Sequence, residues 1–516
     1  MPFAKRAAAL ALAACLFLTG CGARPEADPA PAPSPTPAPA GAAADRLVLG
    51  YTPGDGFNPF LTGSTLVRQN AGLLFEKLVE IGPDMSIVYR LASSIDVLDL
   101  QAVIHIRGGA TFADGAPVTA EDAAASIEAA RTSPLYSGQL ANVTRVEVSD
   151  GAVVVTLAQP DSLFSYLCDI PVLKASEVAA ANPTSSGRYV YSDGALEANP
   201  RCLFAEDGQP ETIGLAEVSS YNEMVSGLTV GTLNLYQTSE LNDSPSGVAS
   251  SLSYYRTNNL IFLGVNADAA QGSAMLAPLL GTAAGRGLLS QVIDRRILAE
   301  KGYYSRAYPA TGAINSFYPC VLAQQVILPE AQLDEAAARA ALAALGYAEN
   351  AMDGFFYTAG GQKLTVRLLV YSGNTYKRYA ASLLADQLEA VGVAVTLEQT
   401  DDFEVFREKV LLGDFDLYIG EVKLYNNMDM SPFMEGGGAS AGILQSETLA
   451  AAYSAFRSNM SAAAAYEAAF AAEMPFVPLL WRNGTVVHTR SIQGLTSSIS
   501  NVFYSLGQLQ FVSADS

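Results

Sequence analysis

The 516-residue chain has one tryptophan, two histidines and five cysteines, and its 30 lysines and arginines face 51 aspartates and glutamates, a net charge of −21. The shortage of basic charge excludes nucleic acid as a partner, since phosphate binding demands a basic surface, and the acidic balance favours neutral or cationic partners. His105 and His488 are isolated. A transition-metal site gathers several His, Cys or carboxylate ligands, so neither a metal nor another cofactor is expected. The cysteines lack C-x-x-C spacing; Cys168, Cys202 and Cys320 leave one disulfide open. No later segment offers a long uncharged apolar span of the ~20 residues a membrane-crossing helix needs.

At the start, Lys5 and Arg6 precede "AAALALAACLFL", too short to span a membrane and read as a signal peptide over residues 1–20. The run ends in "LTGC", which resembles the lipobox of bacterial lipoproteins. That resemblance implies removal of the leader and acylation of Cys21, anchoring the chain to the outer face of a membrane. Residues 21–44 alternate Pro with Ala and Ser and form an extended tether at ~3 Å per residue. The remainder, in a chain 50% hydrophobic, is globular and long enough for two or three domains.

Local patterns set an α/β class. "TLVRQNAGLLFEKLVEI" has helical spacing, Thr119 and Asp122 form a capping-box arrangement, and Asp150–Gly151 between two β-rich runs signals a hairpin. "RYVYSDGALEANP" reads as a second hairpin, and "GRGLLSQVIDRRILAEKGY" has helical spacing. From "KLTVRLLVY" to "DFDLYIG" the order is strand, helix, strand, helix, strand, implying a sheet with helices packed over it.

Several blocks, among them "GFNPFLTGSTLVRQNAGLLFEKLVE", "HIRGGATFADGAPVTAEDAAASI", "LLSQVIDRRILAEKGYY" and "EMPFVPLLWRNG", stand in an order that resembles the bacterial extracellular solute-binding proteins of the oligopeptide and dipeptide type (family 5), the substrate-binding lipoproteins of ABC importers. The resemblance implies a two-lobed periplasmic-binding-protein-like clamp of type II, with a hinge of two crossing strands. Residues 45–257 would form lobe I, with a subdomain at about 71–184. Residues 258–477 would form lobe II, and 478–516 would return to lobe I. The implied partners are a peptide or similar small polar solute, permease subunits and, through the anchor, the membrane; a monomer facing the extracellular space or periplasm is expected.

Candidate cleft residues follow from that resemblance. The first loop offers Tyr51, Phe57, Asn58, Thr62, Gly63, Ser64 and Thr65. The connection after "DFDLYIG" offers Tyr425, Asn426, Asn427 and Asp429, where the family carries a carboxylate for a peptide amino terminus; Asn426 aligns with it and Asp429 stands three residues on. Tyr371 occupies the place of an arginine that holds a peptide carboxylate in dipeptide binders, so a dipeptide is disfavoured. Trp481 either stacks on ligand or packs near the hinge. Two other classes remain on the residues: a surface peptide sensor or adhesin, and a hydrolase at Ser440 in "GASAG" with His488 downstream. "MEGGG" before Ser440 is no buried strand, which argues against a nucleophile elbow, and the same glycines lack the strand-turn-helix setting of a phosphate loop.

Overall fold

A computed structural model describes residues 46–238, 250–323 and 333–512. The leader, Cys21 and the Pro-rich tether lie outside the described residues.

Two β-branched and aromatic runs form long antiparallel strands, Ser250–Val265 and Val477–Thr489, at the centre of an eleven-stranded sheet. At ~3.3 Å per residue the first spans about 50 Å, enough to run through two cores. Tyr255 and Val486 belong to one core, with Leu49, Phe75, Ile104 and Phe503. Leu260 and Trp481 belong to the other, with Leu288, Leu368, Leu384 and Ile419. Between them the register slips, from Tyr255 opposite Gly484 to Asn259 opposite Arg482. Side chains fill this gap: Thr257 Oγ1 donates to the Arg482 carbonyl and Asn315 Nδ2 to the Thr257 carbonyl and to Asn258 Oδ1. The chain thus forms two lobes joined by a two-strand hinge.

In lobe II, Thr365–Tyr371 pairs in parallel with Ala394–Thr400 and Leu417–Lys423. Helices Thr375–Ala390 and Phe403–Leu412 connect them, as the strand-helix alternation implies. Lobe I carries an additional four-stranded antiparallel sheet of Ala92–Leu98, Gln101–Ile106, Ala152–Leu157 and Val143–Ser149. The turn between the last two in sequence is Asp150–Gly151, both at positive φ (51° and 77°), which the glycine adopts freely. Helix Ala120–Ala130 packs on this sheet and begins with the capping box of Thr119 and Asp122. The segment that leaves this added sheet touches lobe II: Arg457 pairs with Asp161 at 2.7 Å, and Ser162 Oγ donates to the Phe456 carbonyl.

Two helical expectations require correction. The helix of "TLVRQNAGLLFEKLVEI" stops at Leu74, Phe75 is extended, and Val79–Ile81 is a strand. There the backbone is claimed by distant partners, with Glu76 N donating to Ser186 Oγ, Val172 N to the Glu76 carbonyl and Leu78 N to the Ile170 carbonyl. In "GRGLLSQVIDRRILAEKGY" helix Ala283–Val292 ends before Asp294, whose carboxylate caps the next turn at Ile297 N. Cys168, Cys202 and Cys320 are free thiols. No helix among the described residues is long and apolar enough to cross a membrane.

Candidate functional site: a cavity between the lobes

A cavity of about 140 Å³ lies between the lobes, with walls from both. Its lobe I wall is carried by helix Thr65–Leu74, which starts where the Ser64 hydroxyl accepts from Val67 N. That helix turns Val67, Leu73 and Leu74 into the core, while Arg68, Gln69 and Gly72 reach the cavity. Gln69 Oε1 accepts from Gln237 N at 3.0 Å, and Gln237 Nε2 donates to Tyr255 Oη at 2.6 Å, tying this wall to the hinge. Deeper, Lys77 Nζ donates to the Ser500 carbonyl at 2.6 Å and lies 3.6 Å from Asp169. Burial pushes the Asp169 carboxyl up, and Lys77 and the Ser500 hydroxyl oppose it. Tyr136 and Gln139 close the side formed by the added sheet's region.

Lobe II supplies Lys423, Leu424, Tyr425 and Asn426, where strand Leu417–Lys423 runs out. This run is held by the hinge. Leu424 N donates to the Asn258 carbonyl at 2.9 Å, Asn258 Nδ2 to Asn426 Oδ1 at 3.1 Å, and Tyr318 Oη to the Asn426 carbonyl at 2.6 Å. Tyr425 crosses to the other lobe: a Cβ placed on Gly138 would sit 2.0 Å from its hydroxyl, so a side chain there would make the ring swing aside. Below, Glu421 meets Arg482 at 2.6 Å and Lys377 at 2.9 Å. Burial opposes ionisation, but the two cations prevail and hold its carboxyl at about 2.

Of the residues anticipated from sequence, Tyr425 and Asn426 line the cavity. Asn427 is buried one residue on, donating to Asp161 Oδ2 at 2.6 Å. Asp429 is engaged within its own loop, accepting from Ser431 N and Tyr453 Oη, each at 2.9 Å. The first-loop residues do not line this cavity. Asn58 is fully buried and knots the loop to the Val178 and Ala180 carbonyls, Phe57 packs between Tyr51 and Tyr191, and Thr62 accepts from Ser64 N. Gly63 and Thr65 are exposed. Tyr371 leans on Phe403, and Trp481 is fully buried in the lobe II core, the packing alternative for that residue. Sequence reasoning does not reach Arg68, Gln69, Lys77, Tyr136, Gln139, Asp169 or Lys423. The available signal was the polar triplet Arg68–Asn70 interrupting an otherwise apolar helix.

The family model described as bacterial extracellular solute-binding proteins, family 5 Middle, matches residues 86–443. The chain belongs to this family. No curated protein matches it. Among solved structures it is similar to the oligopeptide-binding protein AppA from Bacillus subtilis in complex with a nonapeptide, at 17% identity and TM-score 0.53 over 92% of this chain and 100% of that one. It is similar to the periplasmic murein tripeptide binding protein MppA in its unliganded open form, at 17% identity and TM-score 0.71 over 92% and 99%. It also resembles NikZ from Campylobacter jejuni in complex with Ni(L-His), at 16% identity and TM-score 0.56 over 91% and 100%. These likenesses show the fold.

This family 5 protein is thus an extracellular solute-binding protein, a binder and not an enzyme. The hydrolase alternative meets the same conclusion in its geometry. Ser440 Oγ donates to the Gly437 carbonyl, while the His488 ring lies against Ser253 Oγ and the Thr489 carbonyl.

Proposed function

We propose that this family 5 protein closes on a peptide or similar small polar solute and delivers it to an importer permease, working as a monomer held to the outer face of a membrane by an acylated Cys21. The wall chemistry of the interlobe cavity carries the reading. Gln69, Gln139, Tyr425 and Asn426 bring amide and hydroxyl groups from both lobes, the equipment that main-chain groups of a peptide require. Among the described residues no group of three His, Cys, Asp or Glu side chains could hold a bare metal ion. A cavity of about 140 Å³ has room for roughly five waters at their ~30 Å³ share of liquid volume, which suits a short solute.

Closure is driven only by contacts better made in the closed state, and Tyr425 seated on Gly138 is such a contact. Native mass spectrometry of the purified protein with its co-purified ligand tests the solute class. A retained peptide mass supports it; a protein that stays empty in peptide mixtures refutes it. Loss of peptide uptake on gene deletion, restored by the gene, separates import from surface sensing.

A further inference from the structure

The cavity holds more hydrogen-bond donors than it can satisfy, and one of them is charged. The Arg68 guanidinium makes no hydrogen bond or ion pair with any described residue, although it faces the cavity and its charge is felt by Tyr136, Asp169 and Tyr255. Its neighbour Gln69 is 4% exposed, and while its Oε1 is taken by Gln237 N, its Nε2 has no partner. A buried amide N–H left unmet costs ~1–3 kcal/mol, so a site that carries one is built for an acceptor that arrives later. Asp169, the carboxylate of the cavity wall, is already engaged by Lys77 and the Ser500 hydroxyl. Arg68, Lys77 and Lys423 make the walls locally cationic in a chain of net charge −21.

We propose that the solute carries a carboxylate and that this group docks on Arg68, with Gln69 Nε2 as the second donor. The inference rests on the solute-binding reading above and narrows its solute class. A guanidinium meets a carboxylate through two parallel charge-assisted hydrogen bonds, and the adjacent amide satisfies a remaining lone pair. The acidic balance of the whole chain argues for neutral or cationic partners, but at contact distance the local donors decide, because the general field is screened beyond ~10 Å. Such a carboxylate comes either from the free end of a peptide or from an organic chelator around a metal.

Four probes separate these sources: a pool of random tri- to pentapeptides with free carboxyl ends, the same pool amidated, Ni(L-His)₂ and Fe(III)-EDTA. Each is offered to the full-length protein and to its Arg68→Gln and Arg68→Lys variants, with retention read by native mass spectrometry and folding checked by circular dichroism. Wild type is expected to retain the free pool at least tenfold better than the amidated one. Arg68→Gln should abolish that preference and Arg68→Lys keep part of it. Arg68-dependent retention of a chelate, with both peptide pools ignored, would uphold the carboxylate dock and overturn the peptide. Equal retention of the free and amidated pools would overturn the dock while leaving solute binding in place. Retention of no probe would overturn both.

Discussion

Glu467 lies in helix Ala463–Glu473 with 1% of its surface exposed, and it accepts hydrogen bonds from Ile314 N at 2.6 Å and Ala313 N at 3.1 Å. The next residue, Asn315, braces Thr257 and Asn258 in the hinge, so this carboxylate holds the segment that holds the hinge. Burial pushes its carboxyl up to about 7 from 4.5, the two amide bonds offsetting part of the cost. The folded protein therefore keeps a proton that the unfolded chain releases. Its stabilising contribution is complete below pH 4.5 and is lost as pH rises through 7, worth about 3 kcal/mol at ~1.36 kcal/mol per pH unit. In Glu467→Gln the site cannot titrate. That variant is about 1–2 kcal/mol less stable than wild type at pH 5, because its amide N–H₂ confronts a backbone donor, and the difference vanishes or reverses by pH 8 as the wild type loses its own contribution. The opening free energy at Ala313 and Ile314, from amide hydrogen exchange corrected for intrinsic rates, should fall by about 2–3 kcal/mol between pH 5 and pH 8 in wild type. It should stay nearly level in the variant. Parallel slopes in the two proteins would refute the argument, since the titrating group would then lie elsewhere.

Gly138→Ala places a methyl carbon 2.0 Å from Tyr425 Oη; the partly exposed ring swings aside at a cost below about 1 kcal/mol and should weaken binding of the co-purified solute by a few-fold in calorimetry. Arg457→Met strands Asp161, whose side chain is fully buried, and costs ~3–5 kcal/mol. That loss should appear as a lower melting temperature and a larger radius of gyration, and Asp161→Leu added to it should restore only part of both, since it leaves the buried Asn427 Nδ2 unmet. Trp481→Phe should leave solute affinity within about twofold, because the ring is buried in lobe II and its Nε1 has no hydrogen bond to lose. A much larger loss would put the indole against the ligand.

Short-range chemistry was legible. The Asp150–Gly151 turn needs only positive φ, the Thr119–Asp122 box only three residues, and the alternation from Thr365 to Lys423 only the period of its apolar residues. The end of helix Thr65–Leu74 was not legible, since Ser186, Val172 and Ile170 take its backbone from about a hundred residues away. The setting of the first loop depends on contacts of the same kind: Asn58 spends its amide on Val178 and Ala180, more than a hundred residues on.

Residue types and order by themselves determined the α/β class, the strand-helix succession and the exclusion of a nucleic-acid binder, because each depends on local periodicity or on total charge. Tertiary structure alone decided which polar groups remain unspent. Asp429 is consumed by Ser431 and Tyr453, while the Arg68 guanidinium, hundreds of residues earlier, faces Tyr425 and Asn426 across a cavity with no hydrogen-bond or ion-pair partner among the described residues. Satisfaction of a donor depends on what the fold brings near it, and spacing along the chain carries no record of that.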